Sequence, residues 1–403
     1  MSTYGELLRV PGAWRFSSAG FIARLPMSML GLGVVLFITL QGHSYALAGA
    51  VSASGALINS FCGPFLSRRI DRLGQHRVLP IAAAISISFQ VVFIVLVLHN
   101  APIWTWFLTW CLGDAFIPNV GSLIRARWAA VLSDVASVRS AFAFESVIDE
   151  LVFITGPPVA TFLAIGVTDY ASVVASMILL ATGTMFLVPQ RATEPPLSGP
   201  EHHEGRAAIL TPGIPLVSAV LLLVGVLFGA FEVGTVAFAD EAGQPGATGI
   251  LIAVYSIGSA VAGLTLGSLH LRLPLPRQFL LAMVFLSLSS LPIPFIHQVW
   301  VLGVVGMVMG LGVSPVLITG FGLAEELVPS ERLTEGLTVV GAGIGIGFAV
   351  GSSLAGYVID RSGASAAFVV LAIAGLLGAA LALLGTRNLN RAYKLAHVDP
   401  VAN

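Results

Sequence analysis

Long apolar runs separated by short polar stretches dominate the chain. A helix needs roughly 20 apolar residues, at a rise of about 1.5 Å each, to cross about 30 Å of hydrocarbon. The runs therefore predict about twelve transmembrane helices, at 17–40, 46–66, 78–98, 102–124, 140–165, 168–188, 212–238, 247–270, 279–296, 299–323, 335–358 and 364–385. Such a pattern is typical of an all-α polytopic membrane protein.

A polar stretch and an internal repeat divide these runs into two sets of six. Residues 190–211 form the longest connection, and we interpret them as a cytoplasmic linker between two six-helix bundles, 1–189 and 212–403. Shifting the sequence by 200 residues aligns Gly63 with Gly263 and Arg72 with Arg272. A similar shift aligns the interval Gly113–Pro118 with Gly310–Pro315. A parallel repeat predicts two bundles related by a pseudo-twofold axis along the membrane normal.

Composition supports the membrane assignment and narrows the function. The chain has 403 residues, of which 56% are hydrophobic and 10% charged, whereas soluble domains average about 25% charged residues. Its two cysteines, Cys62 and Cys111, lie in apolar runs, so we expect neither a disulfide framework nor a thiolate metal site. A phosphate-binding loop and a convergent catalytic set are both missing, so we expect no ATP-driven pump, no enzyme and no cofactor. Nothing in the composition favours a nucleic-acid partner.

The basic residues predict the orientation. With the N-terminus in the cytoplasm, only Arg24 and Arg361 of the 19 lysines and arginines fall outside the cytoplasmic segments. Cytoplasmic loops of membrane proteins are enriched in these residues. We therefore expect both termini on the cytoplasmic side of the inner membrane. Glycine runs such as 341–347 further predict close approach between helix backbones.

The segment from Gly63 to Arg77, GPFLSRRIDRLGQHR, resembles the signature loop of the major facilitator superfamily, with Ser67 where glycine is usual. The resemblance implies a secondary transporter of two six-helix bundles, expected as a monomer. It also implies a conformational latch, for which we assign the residues Asp71, Arg72, Gly74 and Arg77. The alternative is a positively charged turn with one incidental acid.

The fifth helix carries Gly156-Pro157-Pro158, which resembles the Gly-Pro motif of antiporters in that superfamily, although Ala160 and Thr161 replace later glycines. Proline removes a helix hydrogen bond and glycine allows close packing. The motif predicts a kink or a close-packing point at Gly156 and Pro157.

Six charged residues fall inside predicted spans: Arg24, Asp114, Glu145, Asp149, Glu150 and Glu232. A charge at mid-bilayer costs at least about 2.5 kcal/mol and therefore marks a candidate functional site. Arg24 lies about 12 Å into the first helix, between the depths of Glu145 (about 8 Å) and Asp149 (about 14 Å) in the fifth. We expect Arg24 to pair with one of these acids, either as structural glue or as part of a proton- or substrate-coupled switch. Otherwise Arg24 extends to the membrane interface.

Two acids fall on helices that line the cavity in the resembled superfamily. By that resemblance, Asp114 in the fourth helix would face substrate or protons, and the alternative is a packed acid with a serine or backbone partner. Glu232, beside Phe228 and Phe231, lies near the outer end of the seventh helix, where an interfacial acid is the alternative.

These features favour a secondary transporter that works by alternating access. Its expected partners are protons, a small-molecule substrate and the lipid bilayer, and the favoured activity is proton-coupled efflux of a small hydrophobic drug or metabolite. Uptake of a small polar solute such as a sugar, or a non-transporting membrane sensor, are the alternatives.

Overall fold

The computed structural model describes residue 7 and residues 10–132, 134–197, 208–268, 273–328 and 333–397. Within these residues the chain is helical, without strands. The α-helices are α1 (Ala13–Leu40), α2 (Tyr45–Leu73), α3 (Gln75–Leu98), α4 (Ile103–Asp114), α5 (Val120–Val131), α6 (Val135–Gly166), α7 (Ala171–Leu187), α8 (Ile214–Glu241), α9 (Ala247–Ser268), α10 (Leu275–Ser290), α11 (Val299–Gly310), α12 (Val313–Leu327), α13 (Leu333–Ser362) and α14 (Ala364–His397).

These helices agree with the predicted all-α membrane fold. Ten segments are long and apolar enough to cross a membrane, and α7 is a shorter apolar helix. The segment Val299–Leu327, which contains α11 and α12, counts as one of the ten. With α4 and α5 taken together as a further span, the described helices match the expected total of about twelve.

The prediction of one continuous helix over 102–124 was wrong. The segment is divided into α4 and α5 by the non-helical residues 115–119. Pro118 has no backbone N–H to donate, and it disfavours helical geometry in the residue before it. Asn119 then starts α5, since its side chain accepts a hydrogen bond from the Ser122 N–H at 3.2 Å. The predicted helix at 299–323 is interrupted similarly, at Leu311 and Gly312.

Several helix ends also differ from the expectation. The helix α2 continues to Leu73, so most of the signature segment is helical rather than a loop. The helix α14 continues to His397, well beyond the predicted end at residue 385. Residues 198–207 of the predicted linker, and Arg272 of the repeat, lie outside the described residues.

The chain divides into two compact units. Unit 1 comprises residues 1–43 and 54–201, and unit 2 comprises residues 44–53 and 202–403. The first residues of α2 thus group with unit 2 and the rest with unit 1. The boundaries drawn from sequence, 1–189, 190–211 and 212–403, stay a prediction.

In unit 1, α1 is the central helix and packs on α6 and α7. One end of α1 is surrounded by apolar side chains, with Phe16 stacked edge-on against Trp128 of α5 at a centroid distance of 4.9 Å. Ala23 lies so close to α7 that a Cβ at Gly183 would sit 2.6 Å from it. This dense packing fixes the backbone from which Arg24 projects.

In unit 2, α8 and α13 cross with their backbones in contact. A Cβ at Gly347 would lie 1.9 Å from the Leu222 carbonyl oxygen, and one at Gly225 would lie 2.2 Å from the Ile344 oxygen. Only glycine permits such an approach. The predicted close approach at the glycine run is therefore confirmed, although the first glycine of the run, Gly341, faces open space.

Candidate functional site

Arg24 of α1 is the centre of a buried charge cluster in unit 1. The residue is 2% exposed. Its Nη1 donates to Asp149 Oδ1 at 2.9 Å, and its Nη2 donates to Glu145 Oε2. The predicted pairing is confirmed, and it involves both acids rather than one. Glu145 and Asp149 are one turn apart on α6, so their side chains share a face toward α1.

Glu145 is the fully enclosed member of the cluster, with no exposed surface. Its Oε1 accepts two further hydrogen bonds, from Ser17 Oγ at 2.8 Å and from Trp128 Nε1 at 2.7 Å. A buried carboxylate is costly unless its oxygens are paired and hydrogen-bonded. Glu145 meets that condition with three donors from two helices, and it therefore anchors α1 and α5 to α6.

Asp149 is the accessible member, with a side chain that is 26% exposed. Its Oδ2 accepts from Arg125 Nη2 of α5 at 2.7 Å. Two arginines and two carboxylates thus form a chain in the order Arg125, Asp149, Arg24, Glu145, and their formal charges cancel. The chain runs from a partly exposed end at Arg125 and Asp149 to a fully buried end at Glu145.

Sequence reasoning found three of these residues and missed three. Arg125 was assigned to the basic cytoplasmic flank, because it stands at the end of an apolar run. Ser17 and Trp128 carry no charge and gave no signal. A further predicted charge, Glu150, is half-buried next to Asp149, and its role stays a prediction.

Asp114 is the last residue of α4, and it is 9% exposed. Its Oδ1 has no hydrogen-bond partner among the described residues. The expected serine or backbone partner is therefore missing for this oxygen within that part of the chain. Asn59 of α2 instead binds the backbone at the break between α4 and α5, which consists of residues 115–119. Its Nδ2 donates to the carbonyl oxygens of Asp114 at 2.8 Å and Ile117 at 3.1 Å.

Glu232 lies on α8 in unit 2, and its Oε1 is enclosed without a partner among the described residues. The adjacent Phe231 stacks against Tyr255 of α9 at a centroid distance of 4.7 Å. The role of Glu232 in coupling stays a prediction.

The predicted latch residues lie at the junction of α2 and α3. Asp71, Arg72 and Arg77 are exposed, and the ion pairs among the described residues do not include Asp71. Gly74 has a φ of 93°, which is the left-handed region and explains why glycine stands at this turn. The latch therefore stays a prediction.

The Gly-Pro motif lies within α6, which continues through Pro157 and Pro158 to Gly166. A Cβ at Gly156 would lie 1.9 Å from Ser28 Oγ of α1. Ser28 Oγ in turn donates to the Val152 carbonyl oxygen at 2.9 Å. Gly156 is thus a close-packing point between α1 and α6, two turns beyond Asp149.

Comparisons with known proteins place this fold. The family model described as Major Facilitator Superfamily matches residues 233–397. A search of curated proteins found no match. Among solved structures, a POT family transporter in complex with 5-aminolevulinic acid has a TM-score of 0.72 at 12% identity, covering 94% of this chain and 96% of that chain. The nucleoside transporter NupG has a TM-score of 0.66 at 15% identity, covering 95% and 99%.

At these identities the solved structures show the fold, and they share it over nearly the whole chain. The family match covers most of the second unit. The chain therefore has the fold of these transporter structures, and residues 233–397 of its second unit are similar to the major facilitator superfamily.

Proposed function

We propose that this protein is a proton-coupled secondary transporter that works by alternating access and exports a small hydrophobic drug or metabolite. The observation that carries the proposal is the sharing of Arg24 between Glu145 and Asp149, with Arg125 on the far oxygen of Asp149. Intramembrane ionisable residues mark proton relays and substrate pathways in transport proteins.

The two acids of the cluster have different roles in this proposal. Glu145 is the anchor, because both of its oxygens accept hydrogen bonds from neighbouring helices. Asp149 is the proton carrier, because its side chain is partly exposed and its donors among the described residues are both arginines. The two interpretations of the Arg24 pairing offered by the sequence thus apply to different acids. Glu145 has the structural role and Asp149 the switching role.

Protonation of Asp149 supplies the conformational step. A proton on one carboxylate oxygen removes the negative charge that holds Arg125 and half of the interaction that holds Arg24. The cluster then carries one uncompensated positive charge in a low-dielectric site, which is unfavourable. The chain lowers this cost by moving Arg125 to solvent, and that movement loosens α5 from α6 within unit 1.

The hydrophobic substrate class is inferred from the low polarity of the chain and from the Gly-Pro motif of α6. One observation favours a second candidate, proton-coupled uptake of a small polar solute. The solved structures of similar fold are named as peptide and nucleoside transporters, and one holds 5-aminolevulinic acid. Those chains are at most 15% identical to this one, so they do not fix its substrate. A substrate assay decides between a polar and a hydrophobic substrate.

The proposal includes an inner-membrane monomer with both termini in the cytoplasm. Basic residues on the cytoplasmic segments support this orientation. Cysteine substitutions near Trp14 of α1 and near Asp169 of the α6–α7 connection, followed by labelling with an impermeant thiol reagent on intact cells, test it. We expect labelling at position 169 and protection at position 14, and the reverse pattern would contradict the orientation.

Proteoliposomes with an imposed pH gradient and an internal pH-sensitive dye test the transport proposal. The substrates tested are lipophilic cations, neutral drugs, sugars, dipeptides and nucleosides. Efflux predicts that a hydrophobic compound moves against the proton flow, so that the compound dissipates the gradient as an antiporter would. Co-movement of a polar solute with protons would establish the second candidate, and binding without any flux would indicate a sensor.

A further inference from the structure

The break between α4 and α5 contains an acid that the Arg24 cluster does not use. Asp114 ends α4, and residues 115–119 are non-helical before α5 begins at Val120. The carbonyl oxygens of a broken helix need replacement donors in a membrane, because the hydrocarbon supplies none. Asn59 supplies these, using its Nδ2 group on the Asp114 and Ile117 carbonyl oxygens. The Asn59 amide group therefore does not donate to the Asp114 carboxyl group.

No ion pair among the described residues supplies a compensating cation to the Asp114 side chain. The residue is 9% exposed, and its Oδ1 is fully enclosed without a partner among the described residues. Trp110, one turn earlier on α4, also has an enclosed Nε1 without a partner in that part of the chain. The ion pairs of the described residues do not include Asp114.

Other polar groups near Asp114 do not supply a charge. Cys111 is the nearby ionisable side chain on α4 itself, and His43 faces α4 farther along, stacked on Trp106 at 5.0 Å. On α3, Ser86 and Gln90 are neutral and hydrogen-bonded to each other at 3.2 Å. An isolated ionised carboxylate in such a setting is strongly unfavourable, and the usual response is to bind a proton.

Two geometric features favour a proton over a larger cation. A Cβ at Gly55 of α2 would lie 2.1 Å from Asp114 Oδ2 and 2.3 Å from Trp110 Nε1, so the carboxyl group is pressed against the α2 backbone. A metal ion with its ligand shell needs more room than this contact leaves. Asp114 also lies at the C-terminal end of α4, where the helix dipole disfavours a negative charge and a neutral carboxylic acid is tolerated.

The second unit shows that the break itself does not require an acid. The repeat that aligns Gly113–Pro118 with Gly310–Pro315 places Leu311 opposite Asp114. Unit 2 has the corresponding interruption, between α11 and α12, with leucine at that position. Because unit 2 forms the same kind of break with leucine, an acid at this position is not needed for the break. This argues against a purely structural role for Asp114.

We propose that Asp114 is a second proton-binding site, separate from the Arg24 cluster, which holds a proton on its carboxyl group at neutral pH. The proton is exchanged with water, and no other bond is made or broken. Loss of the proton places a negative charge at the end of α4 and requires a new donor. Asn59 is the adjacent amide, and recruiting it would release the carbonyl oxygens of the break. The site thus links proton release to the conformation of residues 115–119.

Infrared difference spectroscopy on the purified full-length protein in lipid tests this directly. We expect the spectrum of wild type minus Asp114→Asn at pH 7 to contain the carbonyl band of a protonated carboxyl group, with its characteristic downshift in heavy water. The matched control is Glu145→Gln, which should remove only the bands of an ionised carboxylate. Asp114→Glu, which keeps the carboxyl group, should retain a protonated band at a shifted frequency and covers the case in which Asp114→Asn does not fold.

Two results would overturn the proposal. One is loss of ionised-carboxylate bands alone in Asp114→Asn. The other is a sodium-dependent rise in melting temperature that choline does not give and that Asp114→Asn removes, because this would indicate a metal cation at Asp114. Neither readout needs transport, so failure of the proposed transport function and failure of this site are distinguishable.

Discussion

Each unit contains a pair of crossing helices, α1 and α6 in unit 1 and α8 and α13 in unit 2. The two pairs are held together by different kinds of contact. Aligning the first residues of α6 and α13, Val135 and Leu333, sets Glu145 opposite Gly343 and Asp149 opposite Gly347. Aligning the first residues of α1 and α8 in the same way sets Arg24 opposite Gly225. Where unit 1 has a buried ion-pair cluster, unit 2 has glycines in backbone contact.

The difference has a mechanical consequence. Glycine contact depends on dispersion and shape, and no proton or ion in water can alter it. An ion-pair cluster depends on charge, so one proton on Asp149 changes its balance. In the proposed mechanism, the element that responds to protons therefore lies in unit 1, and the α8–α13 crossing does not take part in that response.

The largest expected loss of stability follows from substitution of Glu145, the residue that anchors α1 and α5 to α6 in unit 1. Glu145→Gln leaves Arg24 with one acidic partner and places an amide N–H₂ group against the guanidinium, so we expect a loss of about 3 kcal/mol in unfolding free energy. Thermal unfolding of the purified protein, followed by size-exclusion chromatography, measures the loss as a lower melting temperature.

A double variant sharpens this test. Arg24→Met combined with Glu145→Met replaces the innermost ion pair by apolar side chains, which is often neutral or stabilising for a fold. The double variant should therefore be more stable than Glu145→Gln alone. Equal stability of wild type and Glu145→Gln would show that Glu145 is not an anchor.

The next largest loss of stability is expected where the glycines of α8 and α13 bring the two backbones into contact in unit 2. Gly347→Ala places a Cβ 1.9 Å from the Leu222 carbonyl oxygen, and we expect overpacking to cost about 2 kcal/mol. The matched control is Gly341→Ala, two turns earlier on α13, where a Cβ meets nothing within 4 Å. The account predicts a lower melting temperature for Gly347→Ala only, and equal melting temperatures of the two variants would contradict the proposed backbone contact.

The smallest effect is on the break of α4. Asn59→Ala removes the donor from the Asp114 and Ile117 carbonyl oxygens, and we expect a loss of about 1 kcal/mol. Asn59→Asp, which keeps the size and lacks the N–H₂ donor, should be at least as destabilising. Hydrogen–deuterium exchange should increase in residues 115–119 of both variants, and unchanged exchange there would show that Asn59 does not hold the break.

The sequence predicted most of the membrane-spanning segments and the pairing of Arg24 with acids of α6, for a physical reason. The helices α1 and α6 begin at Ala13 and Val135, and the predicted starts at 17 and 140 are late by similar amounts. Because the errors are in the same direction, the relative depth of Arg24 and its acids was preserved. Apolar runs also fix the number of spans, since each must cover the same thickness of hydrocarbon.

The rest of the site depends on tertiary contacts that periodicity does not encode. Ser17 and Trp128 complete the shell of Glu145 from two different helices, and neither carries a charge that would single it out. The break at 115–119 has a local signal, Pro118 followed by the capping residue Asn119, but apolar residues on both sides conceal it in a hydrophobicity pattern. Asn59 is the partner of that break from another helix, and only the fold brings it there.

Asp149→Asn and Asp149→Glu, compared in proteoliposomes carrying a substrate gradient and a pH-sensitive dye, test whether Asp149 carries the coupled proton. We expect substrate-dependent proton flux in wild type, loss of that flux in Asp149→Asn, and substantial flux in Asp149→Glu, which retains a titratable carboxyl group. Wild-type proton flux in Asp149→Asn would mean that coupling does not pass through this acid.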